Sequence, residues 1–151
     1  MEHFLVSLVI SVITAIVTVR LSLEQFRSER WWEKKTEAYS KIISELSIMF
    51  YCLSKWLDGA EGATNYSDEF ISEFTNEYHA SKINVEKVIA MGSYIISEKA
   101  STLLYDLQKE LNWKSPQRDW HEELERAYTA VKTTISGLRV IAKKDLDLKS
   151  K

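Results

Sequence analysis

The chain begins with an unbroken apolar run and continues with segments in which apolar residues recur at helical spacing. Residues 4–19 carry no charged side chain, and beyond Arg20 the run extends to Leu23. A helix of about 20 residues is about 30 Å long, which matches the hydrocarbon thickness of a bilayer. The run therefore predicts a transmembrane anchor over residues 1–23, with the long side chain of Arg20 reaching toward the interface.

A cleaved signal peptide and a helix buried in a soluble protein are the other readings of this run. A signal peptide is disfavoured because the start, MEHF, contains no Lys or Arg and no small-residue cleavage site follows. The cations instead follow the run: Arg20, Arg27, Arg30, Lys34 and Lys35. Because cations favour the cytoplasmic side, we expect a single pass with the N-terminus outside and the body in the cytoplasm.

Two adjacent tryptophans lie among these cations. Trp31 is expected either at the membrane interface with them or in a helical core. The core alternative arises because Trp31 begins an apolar stripe that continues through Ala38, Ile42, Met49 and Trp56. From Trp32 onwards, apolar residues recur three, four or seven positions apart, at Tyr39, Ile43, Leu46, Phe50, Leu53 and Leu57. This heptad-type stripe predicts a long amphipathic helix whose core begins at Trp32.

Three more amphipathic helices follow, with Tyr78 on the predicted apolar face of the second and Trp120 on that of the fourth. Ser67 is the expected N-cap of the second helix, and Gly92 is its expected end. Ser97 is the expected N-cap of the third. Ser115 followed by Pro116 predicts the N-cap and first turn of the fourth helix, because Pro is favoured at the first helical position.

The expected fold is all-α, with an N-terminal transmembrane helix followed by an antiparallel four-helix bundle over residues 24–144 and a flexible tail over 145–151. Four Gly and one Pro among 151 residues disfavour turn-rich β folds. Residues 58–77 include several acidic residues and no Lys or Arg. This loop is therefore expected at the end of the bundle far from the membrane. Lysines at the C-terminus either meet anionic lipid or are solvated: Lys143, Lys144, Lys149 and Lys151.

No catalytic or cofactor-binding constellation is recognisable in the sequence. His3, His79 and His121 lack metal-ligand spacing, and Cys52 is best read as a buried small apolar residue. A formal net charge of −2 gives no general basic field for nucleic acid. We therefore expect a non-enzyme without a cofactor, metal or small-molecule substrate, and without direct nucleic-acid binding.

A row of hydroxyl side chains runs along the predicted anchor. Ser7, Ser11, Thr14 and Thr18 are spaced three or four residues apart on an otherwise Val/Ile/Leu helix. Such residues permit close helix packing and interhelical hydrogen bonds worth about 1 kcal/mol or less each. The row predicts self-association of the span into a homo-oligomer, either as a simple assembly or as a pore. Alternatively, each hydroxyl bonds the carbonyl four residues earlier and is tolerated in lipid.

The stretches RSERWWEKKTEAYSKIISEL and MGSYIISEKASTLLYDL resemble small bacterial inner-membrane proteins with a cytosolic helical body. Some of these resemble transmembrane effectors of phage-defence systems, such as those associated with retrons. The resemblance implies an antiviral-defence effector that a protein partner holds silent through the body and releases on infection. The hydroxyl row suggests the mechanism, in which released spans assemble and breach the lipid bilayer. Some such effectors have two spans, whereas the sequence predicts one here. The other open function is a membrane-tethered scaffold or adaptor that binds a cytosolic partner through its bundle.

Overall fold

A computed structural model of the chain describes residues 2–60, 62, 66–92, 94–117 and 119–147, with side chains described except at 2–11, 91, 92 and 147. Four helices make up nearly all of it: α1 Glu2–Ala60, α2 Asp68–Gly92, α3 Glu98–Leu111 and α4 Trp120–Asp147. The part of the chain that the structure describes contains no strand. The prediction of an all-α helical bundle is confirmed.

The chain divides into two units, Met1–Lys34 and Lys35–Lys151. The sequence placed its boundary earlier, between residues 23 and 24. In the first unit every residue from 12 to 34 is exposed, so the described side chains of this unit form no core. Within the residues whose side chains are described, no helix holds a segment long and apolar enough to cross a membrane.

All four helices contribute to the core of the second unit. Its fully buried large side chains come mainly from α1 and include Tyr39, Ile42, Leu46, Met49 and Leu53. Leu104 of α3 and Leu138 of α4 are equally buried, and Val85 represents α2. The predicted apolar stripe of the first helix is therefore confirmed from Tyr39 onwards.

The two adjacent tryptophans do not belong to this core. Trp31 is 48% exposed and Trp32 is 37% exposed. The prediction that the core begins at Trp32 is wrong, because the first fully buried position of the stripe is Tyr39. A periodic pattern shows which residues share a helix face, but burial also needs a neighbouring element at that level of the helix.

Contacts between α1 and α4 show that these helices run antiparallel. The rings of Phe50 and Tyr128 stack with centroids 4.9 Å apart. Fifteen positions earlier in α1, Lys35 Nζ lies 3.8 Å from Asp145 Oδ2 near the end of α4. Residues earlier in α1 thus contact residues later in α4, as in an up-and-down bundle.

The contacts of α3 with α4 follow the same antiparallel order. Gly137 of α4 faces Leu103 of α3 so closely that an added Cβ would lie 2.9 Å from Leu103 Cδ2. Farther along α3, Glu110 accepts a hydrogen bond from Arg126 Nη2 at 3.2 Å. The missing side chain of Gly137 lets the two helices approach closely.

The helix starts follow local capping chemistry, as predicted for α2 and α3. Phe70 N–H donates to Ser67 Oγ at 3.3 Å, and Ala100 N–H donates to Ser97 Oγ at 3.4 Å. Both hydroxyls satisfy an N–H group that lacks a partner within the helix. Ser67 and Ser97 are therefore the N-caps that the sequence indicated.

The predicted start of the fourth helix is wrong. Asp119 caps α4, since its Oδ1 accepts from His121 N–H at 2.9 Å and from Glu122 N–H at 3.4 Å. Ser115 Oγ accepts from Gln117 N–H at 3.3 Å, which forms a local turn that does not continue as a helix. A carboxylate at the first turn also complements the helix dipole, so Asp119 prevails over the earlier Ser-Pro signal.

Candidate functional sites

The described part of the predicted anchor and the three residues after it form an exposed apolar helix. Eight large apolar side chains each expose between 49% and 61% of their surface: Val12, Ile13, Ile16, Val17, Val19, Leu21, Leu23 and Phe26. At about 100° per residue they cover more than half of the helix circumference. Exposed apolar surface of this extent is unusual for a protein in water and marks a surface that binds lipid or protein.

The hydroxyl row lies on the remaining side of this helix. Thr14 and Thr18 are exposed, whereas the side chains of Ser7 and Ser11 lie outside the described ones. Thr18 Oγ1 donates to the Thr14 carbonyl at 2.8 Å. The Thr18 hydroxyl hydrogen is thus satisfied within its own helix, and its oxygen can still accept a hydrogen bond from another helix.

The residues predicted for the membrane interface differ in their surroundings. Arg20, Arg27, Arg30 and Lys34 are exposed in the first unit, as is Trp31. The Arg30 guanidinium lies 5.1 Å from the centroid of the Phe26 ring. Lys35 instead belongs to the second unit, where it is partly buried and pairs with Asp145.

A polar cluster joins three helices at one end of the body. The Tyr39 hydroxyl donates to Asp145 Oδ2 and lies 3.2 Å from Ser97 Oγ. Ser97 N–H donates to the Tyr39 oxygen at 3.3 Å. The sequence placed Asp145 in a flexible tail, but α4 continues through Asp147 and Asp145 is held in this cluster.

Burial and the Tyr39–Asp145 hydrogen bond shift the pKa in the same direction for Tyr39 and in opposite directions for Asp145. Burial raises the pKa of Tyr39, and its hydrogen bond to Asp145 raises it further. Burial alone would raise the pKa of Asp145, but hydrogen bonds from Tyr39 and Ser97 and the charge of Lys35 leave that pKa below its usual value. The ionised carboxylate is therefore the form that the cluster stabilises.

A groove with a volume of about 680 Å³ lies at the other end of the body. It is lined by residues from all four helices and from the connection between α3 and α4, and five of its residues are aromatic: Trp56, Tyr66, Tyr78, Trp113 and Trp120. We call it the aromatic groove. Its volume lies within the range of about 300–1,000 Å³ that is typical of ligand pockets.

The aromatic side chains of the groove differ in exposure. Trp56 and Tyr78 meet edge to face with centroids 5.1 Å apart, and burial raises the pKa of Tyr78 to about 12. Trp120, by contrast, is 62% exposed, although its stripe on the fourth helix predicted a core position. The groove thus offers a neutral aromatic floor and an exposed tryptophan at its edge.

The charged groups lining the groove are paired with neighbours of opposite sign. Lys114 Nζ lies 2.9 Å from Glu123 Oε2, and this hydrogen bond lowers the pKa of Glu123. A hydrogen bond from Arg126 likewise lowers the pKa of Glu110, and the Arg126 guanidinium lies 4.2 Å from the Trp113 ring centroid. These pairs leave no free cation among them for an anionic ligand.

The sequence did not identify this groove, although its parts were visible. Trp56 and Tyr78 lie on predicted core stripes, and Trp113 and Trp120 flank the Ser115-Pro116 segment that separates the third predicted helix from the fourth. In an antiparallel bundle, the end of the first helix, the start of the second and the break before the fourth all meet at one end. That combination is the signal that indicates the groove.

The structure also bears on Cys52 and on metal binding. Cys52 is fully buried, as predicted, and burial raises the pKa of its thiol. Among the residues described, no group of three or more His, Cys, Asp and Glu side chains is arranged to hold a metal ion.

No protein-family model, curated protein or solved structure matches this chain.

Proposed function

We propose that this protein is a single-pass protein of the bacterial inner membrane, with its N-terminus outside and its helical body in the cytoplasm. The observation that carries the proposal is the exposed apolar surface of residues 12–26 in α1. A bilayer covers such a surface on all sides of one helix, whereas a groove in another protein covers one face. Near the end of this surface lies Arg20, and beyond it lie Arg27 and Arg30. Arginines at this position favour the cytoplasmic leaflet.

Its proposed activity is that of an antiviral-defence effector that acts on membrane integrity without catalysis or a cofactor. Release from a protein partner lets the spans assemble into a homo-oligomer that breaches the bilayer. The hydroxyl row supports assembly by allowing close approach of helices at Ser7, Ser11, Thr14 and Thr18. Since Thr18 already donates within its own helix, close packing supports this assembly more strongly than donated hydrogen bonds do.

Membrane potential and dye entry after induction of the protein in bacteria test this proposal. The wild type is expected to depolarise cells and admit the dye. A variant with all four row residues changed to Leu is expected to insert but not to depolarise, because bulky side chains keep the helices apart. A matched variant with Ser→Ala and Thr→Val keeps the side chains small without hydroxyls and is expected to retain most of the effect. Depolarisation by the Leu variant would remove the row from the mechanism.

The aromatic groove favours a second candidate function, a membrane-tethered adaptor that binds a cytosolic protein. For an adaptor the anchor serves only to hold the body at the membrane. Exchange of residues 1–23 for an unrelated span is therefore expected to preserve an adaptor's function and to abolish an effector's. Loss of function in that exchange would contradict the adaptor, and retention would contradict the assembling effector.

A further inference from the structure

We infer that a basic patch near the end of α4 binds the anionic lipid headgroups of the cytoplasmic leaflet. The patch consists of Arg139, Val140, Lys143 and Lys144, all of which are exposed. The inference rests on the proposed function, since the proposed anchor brings the body to a bilayer. It adds a second lipid contact, made by residues of the second unit.

The four side chains of the patch are neighbours on the surface of α4. Residues three and four positions apart lie next to each other on a helix, so Lys143 lies beside Arg139 and Val140, and Lys144 lies beside Val140. Val140 is 71% exposed, as much as any large apolar side chain in the described part of the chain. An apolar side chain among cations suits a lipid interface, where cations meet headgroups and the apolar group enters the acyl boundary.

The fold does not use the cations of the patch to hold its helices together. In the part of the chain that the structure describes, neither Arg139 nor Lys143 pairs with a carboxylate. By contrast, Lys35, Lys114 and Arg126 are each paired with one. Lipid phosphates can therefore meet Arg139 and Lys143 without separating an ion pair of the protein.

The acids that follow the patch do not cancel its charge. The side chain of Asp145 is 16% exposed and lies 3.8 Å from Lys35 Nζ, so its charge is balanced within the body. Asp147 adds one negative charge at the end of α4, and the tail beyond it adds Lys149 and Lys151. The end of the chain therefore remains basic.

The neighbouring helices contribute balanced charges beside the patch. The contacts of Asp145 with α1 and of Gly137 with α3 place the first turns of the body's α1 segment and of α3 at this level. The exposed charged residues of those turns form one acid and one base on each helix: Glu37, Lys41, Glu98 and Lys99. The net positive charge of this end is therefore that of α4 itself.

The charge of α4 changes sign along its length, which favours a leaflet over a nucleic acid strand. Its first turns carry Glu122, Glu123 and Glu125, whereas residues 127–144 contain four cations and no acid. A polyanionic strand along α4 would be repelled at the acidic end, but a leaflet can meet the basic end alone. The proposed span also holds the patch at a high effective concentration of lipid.

The test uses the full chain in nanodiscs, with a fluorophore on Ser136→Cys, one turn before Val140. Cys52 is fully buried, so the label is directed to the introduced cysteine. A lipid with a nitroxide on its headgroup quenches the fluorophore where the patch meets the bilayer. Quenching is expected to be at least about threefold greater with about 30% phosphatidylglycerol than in pure phosphatidylcholine, and to fall in high salt, because an anionic surface attracts cations within a Debye length.

Two matched variants locate the contact. Arg139→Gln with Lys143→Gln is expected to lower quenching in anionic nanodiscs to about the level in phosphatidylcholine, since each cation favours contact by about fivefold. Lys109→Gln with Lys132→Gln removes the same charge from exposed positions outside the patch and is expected to leave quenching unchanged. Val140→Ser is expected to lower quenching less and to keep its salt dependence, because it removes the apolar contribution alone.

Several outcomes would overturn the inference. Equal quenching with and without phosphatidylglycerol would reject an anionic lipid, and wild-type quenching in the Arg139→Gln, Lys143→Gln variant would place the contact elsewhere. A fluorescent single-stranded oligonucleotide that binds through these two residues, without any response to lipid, would identify nucleic acid as the ligand.

Carbonate extraction of the same protein from liposomes tests the span separately. Carbonate releases a protein that is held only by surface charge and leaves a spanning protein in the membrane. Release of a chain whose binding still requires phosphatidylglycerol and the patch would refute the span and keep the inference. Retention of a chain whose patch does not respond to phosphatidylglycerol would do the reverse.

Discussion

The two parts of α1 use one helix in different ways. From residue 12 to residue 34 every position is exposed, although many side chains are large and apolar. From Tyr39 to Leu53 buried and exposed positions alternate with the helical period. The apolar residues of the first part are spread over most of the circumference, whereas those of the second follow one stripe. Distribution around the helix, more than apolar content, determines whether a bundle can bury a segment.

Their polar contacts differ in the same way. In the first part, Gln25 donates to Glu29 at 3.1 Å and Thr18 donates to the Thr14 carbonyl, so both contacts lie within one turn. In the second part, Tyr39 donates to Asp145, which is distant in sequence. Local contacts support a helix, and long-range contacts give the body a defined tertiary structure.

A pair of identical substitutions gives the largest expected contrast in stability. Leu46→Ala creates a cavity at a fully buried position and is expected to lower the free energy of unfolding of the body by about 2–5 kcal/mol. Leu23→Ala, at a position that is 51% exposed, is expected to change it by less than about 0.5 kcal/mol. Urea unfolding followed by tryptophan fluorescence measures both, and equal losses would contradict the distinction.

Charge insertion tests the first part of α1 against a bilayer. Ile16→Asp places a carboxylate within the proposed span and is expected to cost about 2.5–3.5 kcal/mol of insertion free energy, which moves protein out of the membrane fraction. Ile48→Asp makes the same change at a position of the body that is 38% exposed and is expected to leave fractionation unchanged. Carbonate extraction and flotation measure the outcome, and membrane retention of Ile16→Asp would argue against a span.

Removal of one oxygen tests the long-range polar contact. Tyr39→Phe keeps the buried ring but removes the hydroxyl that joins Asp145 and Ser97, and is expected to cost about 1–3 kcal/mol of unfolding free energy. Tyr51→Phe changes a tyrosine that is 47% exposed and is expected to stay within about 0.5 kcal/mol of the wild type. A wild-type unfolding midpoint for Tyr39→Phe would show that the cluster adds nothing to stability.

The smallest expected effect is a dependence on acid pH. Because the pKa of Asp145 is lower in the folded chain than its usual value of 3.8, its contribution is present above that value and is lost as pH falls through the folded pKa. Unfolding midpoints between about pH 5 and pH 2 are therefore expected to fall less steeply in Asp145→Asn than in the wild type. Identical slopes in the two proteins would assign the acid sensitivity to other carboxylates.

Periodicity and capping predicted most of the fold because both depend on residues a few positions apart. The stripe from Tyr39 and the caps at Ser67 and Ser97 were found this way, whereas the burial of Cys52 was expected from its residue type. The start of α4 was missed because Ser115 and Asp119 are both favourable N-cap residues. The Ser-Pro motif identified Ser115 without comparing it with Asp119. Trp32 was misplaced because burial depends on which helix lies opposite.

The candidate sites were less predictable from the sequence. The hydroxyl row is a property of one helix and can be recognised directly. The aromatic groove and the Tyr39–Asp145 contact join residues far apart in the chain, so they exist only once the helices are packed. Their chemistry was visible at each position, but their proximity required the fold.

The bonds that hold the α3–α4 connection affect how a protease meets the native protein. Residues 113–117 form no helix, and Lys114 offers trypsin a cleavage site there. Yet the two carboxylate oxygens of Glu123 accept from Lys114 Nζ and from Ser115 N–H, each at 2.9 Å. Trypsin needs both the lysine side chain and an extended peptide, so these bonds must break before it can cut. Cleavage after Lys114 therefore reports how often the α3–α4 connection detaches from the Glu123 side chain.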